Sequence, residues 1–183
     1  MDFGGYTDAC VLLAVDLVNS EPLAGDPDDL ADVEQLRAFV AEHLPSWDGP
    51  VTQTDLTAIR EMRGVLRQAF LAQSASDAAA LLNGLLDRVG SQFRLDDHDG
   101  RWHLHVVAAQ PGVAAALIAI AATGMAMVVA DHGVSRFGVC ASETCIDSFV
   151  DHTKNRSRRY CCEGCANVSA VRKHRARSSS PAS

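Results

Sequence analysis

Cys140-Ala-Ser-Glu-Thr-Cys145, then a loop, then Cys161-Cys162-Glu163-Gly164-Cys165: five of the six cysteines of this chain fall within 26 residues. Structural zinc takes four soft ligands in a tetrahedron, and a tight turn lets two thiolates of one pair reach the same ion. Two such turns close the shell with no open position, the layout of a structural rather than a catalytic metal. The first pair, Cys140 and Cys145, encloses four residues. The second is ambiguous, because Cys161 to Cys165 encloses three residues and Cys162 to Cys165 encloses two. Spacing alone favours Cys162, two being the commoner knuckle. A secreted disulfide framework spreads its cysteines and follows a signal peptide. Here Cys10 stands alone, and no basic stretch leading into an apolar run opens the chain, so a cytoplasmic protein is expected.

Two basic segments accompany the cysteines. Lys154-Asn155-Arg156-Ser157-Arg158-Arg159 fills the loop between the pairs, and Val168 to Arg177 reads as a helix without Gly or Pro. Asn167 is its expected N-cap. Val168 and Val171, three apart, are expected to face the zinc core, with Arg172, Lys173, His174 and Arg175 outside. Phe137, Phe149 and Tyr160 are spaced to pack over a knuckle that has little other core. The net charge of −7 conceals a division: residues 1–132 hold 7 Lys/Arg against 19 Asp/Glu, and residues 133–183 hold 9 against 4. Nucleic acid repels the first part and attracts the second. Arg158, Arg159, Arg172, Lys173 and Arg175 are therefore the expected nucleic-acid-binding face. The competing reading is a solvated helix whose arginines only confer solubility, since Lys/Arg runs are a weak signal alone.

The stretch Cys140-Ala-Ser-Glu-Thr-Cys145-Ile-Asp-Ser-Phe149-Val-Asp151-His-Thr153-Lys-Asn155-Arg156-Ser-Arg158-Arg159-Tyr160-Cys161 resembles the CGNR zinc finger. So does its continuation, Cys165-Ala166-Asn167-Val168 followed by Val171-Arg172-Lys173-His174-Arg175. That family reads as a cysteine pair, Phe-x-Asp-x-Ser/Thr, Asn-x-Ser-Arg-Arg-Trp/Tyr-Cys, then Cys-Gly-Asn-Arg and a basic helix. The likeness covers about 38 residues. It implies Cys140, Cys145, Cys161 and Cys165 as the zinc ligands, with Cys162 where the family usually has Ser. Ala166 and Val168 stand in place of the Gly and Arg of the name motif, which removes one basic contact or one ion pair.

Outward from the finger, the remaining sequence reads as helices. Leu30, Val33, Leu36, Phe39, Val40 and Leu44 recur at helical spacing and stop at Pro45. Leu56, Ile59, Met62, Val65, Leu66, Ala69 and Phe70 repeat the pattern after a capping candidate, Thr54. Ser76 or Asp77 is the candidate cap of a third helix through Leu81, Leu82, Leu85 and Leu86. The period then changes: Phe93 to Leu95, a turn at Asp99-Gly100, and Trp102 to Val107 read as a β-hairpin. Gly112 to Ala130 is 19 residues without a charge, close to a membrane span in length. Ala is its commonest residue, 8 of 19, and it begins after Pro111 and stops at Asp131-His132-Gly133, so a buried core helix is expected and no membrane. Leu13-Ala-Val-Asp16-Leu-Val-Asn19-Ser20, with the Asp/Leu-rich helix after it and the apolar helix before the finger, resembles the ABATE domain, described as a stress-induced transcription regulator.

The expected fold is mainly α (α+β). A helical domain with a β-hairpin, residues 1–132, precedes a small treble-clef-like zinc finger with a basic C-terminal helix, 136–177, and a disordered tail, 178–183. The expected function is a bacterial-type transcription regulator with zinc as its metal and DNA as its partner. Its body senses a small-molecule effector or forms a homodimer. The alternatives are a protein-interaction module and a small-molecule-binding protein without DNA binding. No enzyme is expected. Asp16 with Asn19, or His103 with His105 on one strand face, offers acid–base or ligand-binding groups. Such residues more often satisfy backbone groups or face water. No Walker loop, dinucleotide fingerprint, nucleophile elbow or His-Glu-x-x-His sequence occurs.

Overall fold

The uncharged run becomes the central helix of the protein. In the computed structural model, which describes residues 5–21, 27–97, 100 and 102–178, six helices are α1 (Gly5–Asn19), α2 (Val33–His43), α3 (Gln53–Leu71), α4 (Ala75–Val89), α5 (Val113–His132) and α6 (Glu163–Ser178). Four strands form two hairpins, β1 (Ser91–Asp96) with β2 (His103–Ala108), and β3 (Phe137–Val139) with β4 (Ser148–Val150). The architecture is mainly α with two small antiparallel hairpins.

By length and composition Val113–Arg136 is apolar enough to cross a membrane, yet it is mostly buried inside the protein. α1, α3 and α4 and strand β2 pack around α5, so an all-round apolar helix finds apolar neighbours on most of its faces, with Met127 left exposed. At the α1–α5 crossing a Cβ on Gly124 would lie 2.7 Å from the backbone carbon of Cys10. Only glycine admits that approach. α5 starts at Gly112, at φ 100° and without a side-chain cap of its own. Asp55 serves instead: its Oδ1 accepts from the Ala114 N–H at 3.3 Å, and its Oδ2 accepts from the Thr52 N–H at 3.0 Å. One buried carboxylate thus caps two helices.

The starts of α3 and α4 lie earlier in sequence than periodicity indicates, whereas α2 starts at Val33, three residues after the first apolar position Leu30. α2 opens on a capping box of Asp32 and Gln35 and α3 on one of Thr52 and Asp55, while Ser74 caps α4. Thr52 therefore replaces Thr54, and Ser74 replaces Ser76 or Asp77. The reason is that a first turn is polar and lies ahead of the first apolar position. The arginines of α3 fasten the segment after α1. Arg63 pairs with Asp28 (Nη1 to Oδ1, 2.9 Å) and donates to Ser20, Arg67 reaches Glu21 at 2.5 Å, and Arg60 donates to the Leu30 carbonyl.

The first hairpin is the expected one, with Leu95 opposite Leu104 and Phe93 opposite Val106. Of its turn, Asp99 lies outside the described residues, as does the side chain of His103 on β2. Residues 179–183 of the expected tail lie outside them too, and Ser178 ends α6. The second hairpin pairs Phe137 with Val150 and Gly138 with Phe149. It joins the body directly: Val150 belongs to the main core, and the rings of Phe70 and Phe137 are 4.9 Å apart.

Candidate metal centre and basic face

β3 and β4 are the two arms of a knuckle. Between them Cys140 donates its N–H to the Asp147 carbonyl at 2.9 Å and Cys145 donates to Ser142 at 3.2 Å, which curls the turn and brings both thiols to one side. The second pair arrives from the loop and from α6. Ala141 N–H donates to the Arg159 carbonyl at 2.8 Å, holding the loop against the knuckle one residue before Tyr160 and Cys161. Cys165 lies in the first turn of α6. The Sγ atoms of Cys140, Cys145, Cys161 and Cys165 all lie within 4.8 Å of one another. Cys162 is exposed and outside that group.

The spacing fits zinc. With Zn–S near 2.3 Å, the edges of a thiolate tetrahedron are about 3.8 Å. Cys145–Cys161 and Cys161–Cys165 are each 3.6 Å apart. The Cys161 N–H points at Cys140 Sγ at 3.5 Å, a donor suited to a thiolate. Without a cation three of the four thiols resist ionisation, while burial of Cys140 is outweighed by backbone hydrogen bonds that lower it. Burial pushes the Cys145 thiol up to about 12. Burial, reinforced by the thiols of Cys145 and Cys165, drives that of Cys161 higher still. A divalent ion inverts this preference, since coordinated thiols are deprotonated. Four sulfur donors with no open position make a structural centre, and the metal is zinc.

Around the centre a buried polar frame sets the loop. Asp151 accepts from the Thr153 N–H at 2.7 Å, the Thr153 hydroxyl at 2.6 Å and the Arg158 N–H at 2.9 Å. Burial opposes its ionisation, but those donors outweigh it and hold the carboxyl below the usual range. Buried Arg136 donates to the carbonyls of Asp151 and Thr153. The Asp and Thr of the finger motif are therefore loop-builders.

The basic residues divide by role. Arg158 lies 5.0 Å over the Phe149 ring and donates to the carbonyls of Tyr160 (3.0 Å) and Cys161, so its guanidinium braces the loop segment that carries the third ligand. Arg159 and Arg175 are exposed. Arg172, also exposed, faces Glu143 at 3.4 Å. The side chain of Lys173 lies outside the described residues. α6 begins at Glu163, ahead of the expected cap Asn167, and this shifts its phase. Val168 and Val171 are 46% and 50% exposed instead of facing the zinc core, while Ser169, one turn beyond Cys165, is buried.

Asp16 and Asn19 sit where body meets finger. Asn19 Nδ2 donates to the Ser148 carbonyl at 3.0 Å and its Oδ1 accepts from the Ser148 N–H at 2.8 Å. Both residues line a cavity of about 560 Å³ with His43 and Asp147. Burial raises the Asp16 carboxyl, His43 at 3.6 Å lowers it, and Glu42 raises it further. The sequence marks Asp16 and Asn19 as unusual but contains no sign that Ser148 is their destination.

A helical body closed by a treble-clef zinc finger defines the class. The comparison with protein families agrees: residues 12–131, about two-thirds of the chain, match the model of the ABATE family, described as "Putative stress-induced transcription regulator". Residues 136–178 match the CGNR zinc finger. The chain belongs to the ABATE family and carries a CGNR finger at its C-terminal side. No curated protein matches it.

Proposed function

We propose that this protein is a cytoplasmic transcription regulator whose zinc finger contacts DNA, chiefly through phosphates. The observation that carries this is the confinement of net positive charge to the metal-stabilised part of the chain. Residues 133–183 hold 9 Lys/Arg against 4 Asp/Glu, on a chain whose net charge is −7. Arg159 in the loop and Arg172, Lys173 and Arg175 on α6 form the contacting face. Arg158 supports it from behind by bracing the backbone at Cys161. No side chain here has an assignable base partner, so phosphate contact is the better-founded mode. One finger offers roughly 600–1,000 Å² of interface, and a homodimer with two fingers supplies the rest. The body senses or dimerises and carries out no catalytic turnover.

The test is titration of labelled duplex DNA at two salt concentrations with wild type and an Arg172/Lys173/Arg175→Ala variant. Each phosphate contact adds about one to the salt slope, so the variant is expected to bind more weakly to every sequence with a slope lower by about three. Equal, salt-insensitive binding by both overturns the DNA reading. A second reading, a protein-docking finger, is favoured by one feature: Val168 and Val171 are exposed on the same helix. Salt-insensitive capture of a protein partner by α6 would support it.

A further inference from the structure

The cavity between body and finger is lined by acidic and apolar side chains. Four carboxylates from four parts of the chain line it: Asp16 of α1, Asp29 of the following segment, Glu42 of α2 and Asp147 of the finger. Among the described residues no lysine or arginine lines it, and His43 is the single basic side chain. Leu30, Ala38 and Phe39 give it an apolar wall. A second cavity of about 290 Å³ adjoins it, sharing Asp16, Asn19 and Asp147 and adding Asp8, Val15 and Ser148. Its lining also holds His152 and one arginine, Arg158, whose guanidinium is turned to the carbonyls of Tyr160 and Cys161, so carboxylates still outnumber cations there. Ser148 is 1% exposed, and its Oγ has no hydrogen-bond partner among the described residues. Buried hydroxyls are ordinarily paired, so one left orphaned beside a cavity points to an absent partner.

These features narrow the class of occupant. An anion is repelled by the carboxylates. A divalent metal ion needs several oxygen ligands converging on one point. Among the described residues only the four cysteines bring three or more potential ligand atoms together. Dispersed carboxylates, an apolar wall and a volume within the range of small-molecule sites fit an elongated organic cation.

We propose that this seam binds a small aliphatic diamine. One ammonium lies among Asp16, Glu42 and Asp147, the methylene chain runs along Leu30 and Phe39, and the second ammonium reaches the adjoining cavity and donates to Ser148 Oγ. The occupant touches both halves of the molecule. Asp147 Oδ2 lies 3.4 Å from Cys161 Sγ, and Ser148 is the residue that Asn19 clamps. Binding here is therefore positioned to bias how the finger sits on the body, which builds on the regulator reading and gives the sensed molecule a chemistry.

Isothermal titration calorimetry on the zinc-loaded full-length protein, without DNA, tests this with 1,4-diaminobutane as probe. The neutral butane-1,4-diol and Mg²⁺ serve as comparators. The expected result is saturable binding of one diamine per chain, with the diol weaker by about tenfold or more. Asp16→Asn and Glu42→Gln should each weaken binding by about tenfold, and Asp87→Asn, on α4 away from the seam, should not. Glu42 is exposed, so its variant keeps the test decisive if Asp16→Asn misfolds. No saturable heat into the millimolar range, equal binding of the diol, displacement by equimolar Mg²⁺, or seam variants indistinguishable from Asp87→Asn would each overturn the proposal. With no DNA in the cell, failure here leaves the DNA reading standing, and failure of the duplex titration leaves this result intact.

Discussion

Asn19 holds Ser148 by both edges of its amide, donating to the carbonyl at 3.0 Å and accepting from the N–H at 2.8 Å, across 129 residues of sequence. A single side chain thereby imitates the hydrogen bonding of a neighbouring β-strand and seats β4 of the finger on α1. Each such bond contributes about 1 kcal/mol net, so Asn19→Ala should cost about 2 kcal/mol in denaturant titration. Asn19→Asp should be at least as damaging, because it loses the donor and sets a carboxylate against the Ser148 carbonyl. A melt of either variant superimposable on wild type would refute this role.

Metal binding should depend on four cysteines and ignore a fifth. Ser at Cys140, Cys145, Cys161 or Cys165 removes a thiolate from a closed shell and should release zinc to a chromophoric chelator and loosen the finger. Cys162→Ser should keep one zinc per chain. If Cys162→Ser strips the metal and Cys161→Ser does not, the assignment of the third ligand is reversed.

Asp28 gives a pH-dependent signature. Hydrogen bonding to Arg63 holds its carboxyl below the ordinary aspartate value of 3.8, against an opposing effect of burial. A carboxyl lowered by folding stabilises the native state above its unfolded pKa and ceases to do so as pH falls through the folded value. The stability gap between wild type and Asp28→Asn should therefore be full at pH 7 and shrink below pH 3.8. Arg63→Ala should cost about 2–3 kcal/mol, because it removes the main partner of Asp28, which keeps the Leu30 N–H and Arg60 at 3.6 Å. A gap that does not change with pH would exclude this linkage.

Gly124 and Gly138 should resist the smallest substitution. A Cβ at Gly124 meets Cys10 backbone at 2.7 Å, and one at Gly138 meets the Phe149 ring at 2.6 Å. Overpacking of this kind costs about 1–3 kcal/mol, more than alanine returns in helix propensity. Gly124→Ala should be the worse of the two, since backbone yields less readily than a ring. Thermal melts that rank them the other way, or show no loss, would contradict the reading of these close approaches.

Much of the architecture is legible in the sequence because its signals are local. Helical periodicity locates α2, α3 and α4, the absence of charge locates α5, and cysteine spacing with the neighbouring motif locates the finger. Three features are not legible in the sequence. The Asn19–Ser148 clamp joins ends of the chain that no window spans. Arg158 looks like a phosphate contact until its guanidinium is seen over Phe149 and against the Cys161 carbonyl. Val168 and Val171 are expected on the zinc side of a helix capped by Asn167, whereas α6 starts at Glu163 and turns Ser169 inward. The two valines consequently point to solvent.

Val150 and Phe137 have a consequence for the abundance of the protein in a cell. They belong to the metal module by sequence yet pack with the helical core. A ligand that binds only the native state stabilises everything folded cooperatively with its site, in proportion to the logarithm of its free concentration. Zinc is such a ligand, and the packing carries its effect to α1 and α3. Scarcity of the metal should therefore do more than silence the finger. It should raise the fraction of molecules with the body partly open, and those are the molecules that proteases remove. Pulse-chase half-lives with and without an intracellular zinc chelator should show the chain disappearing faster when the metal is withheld.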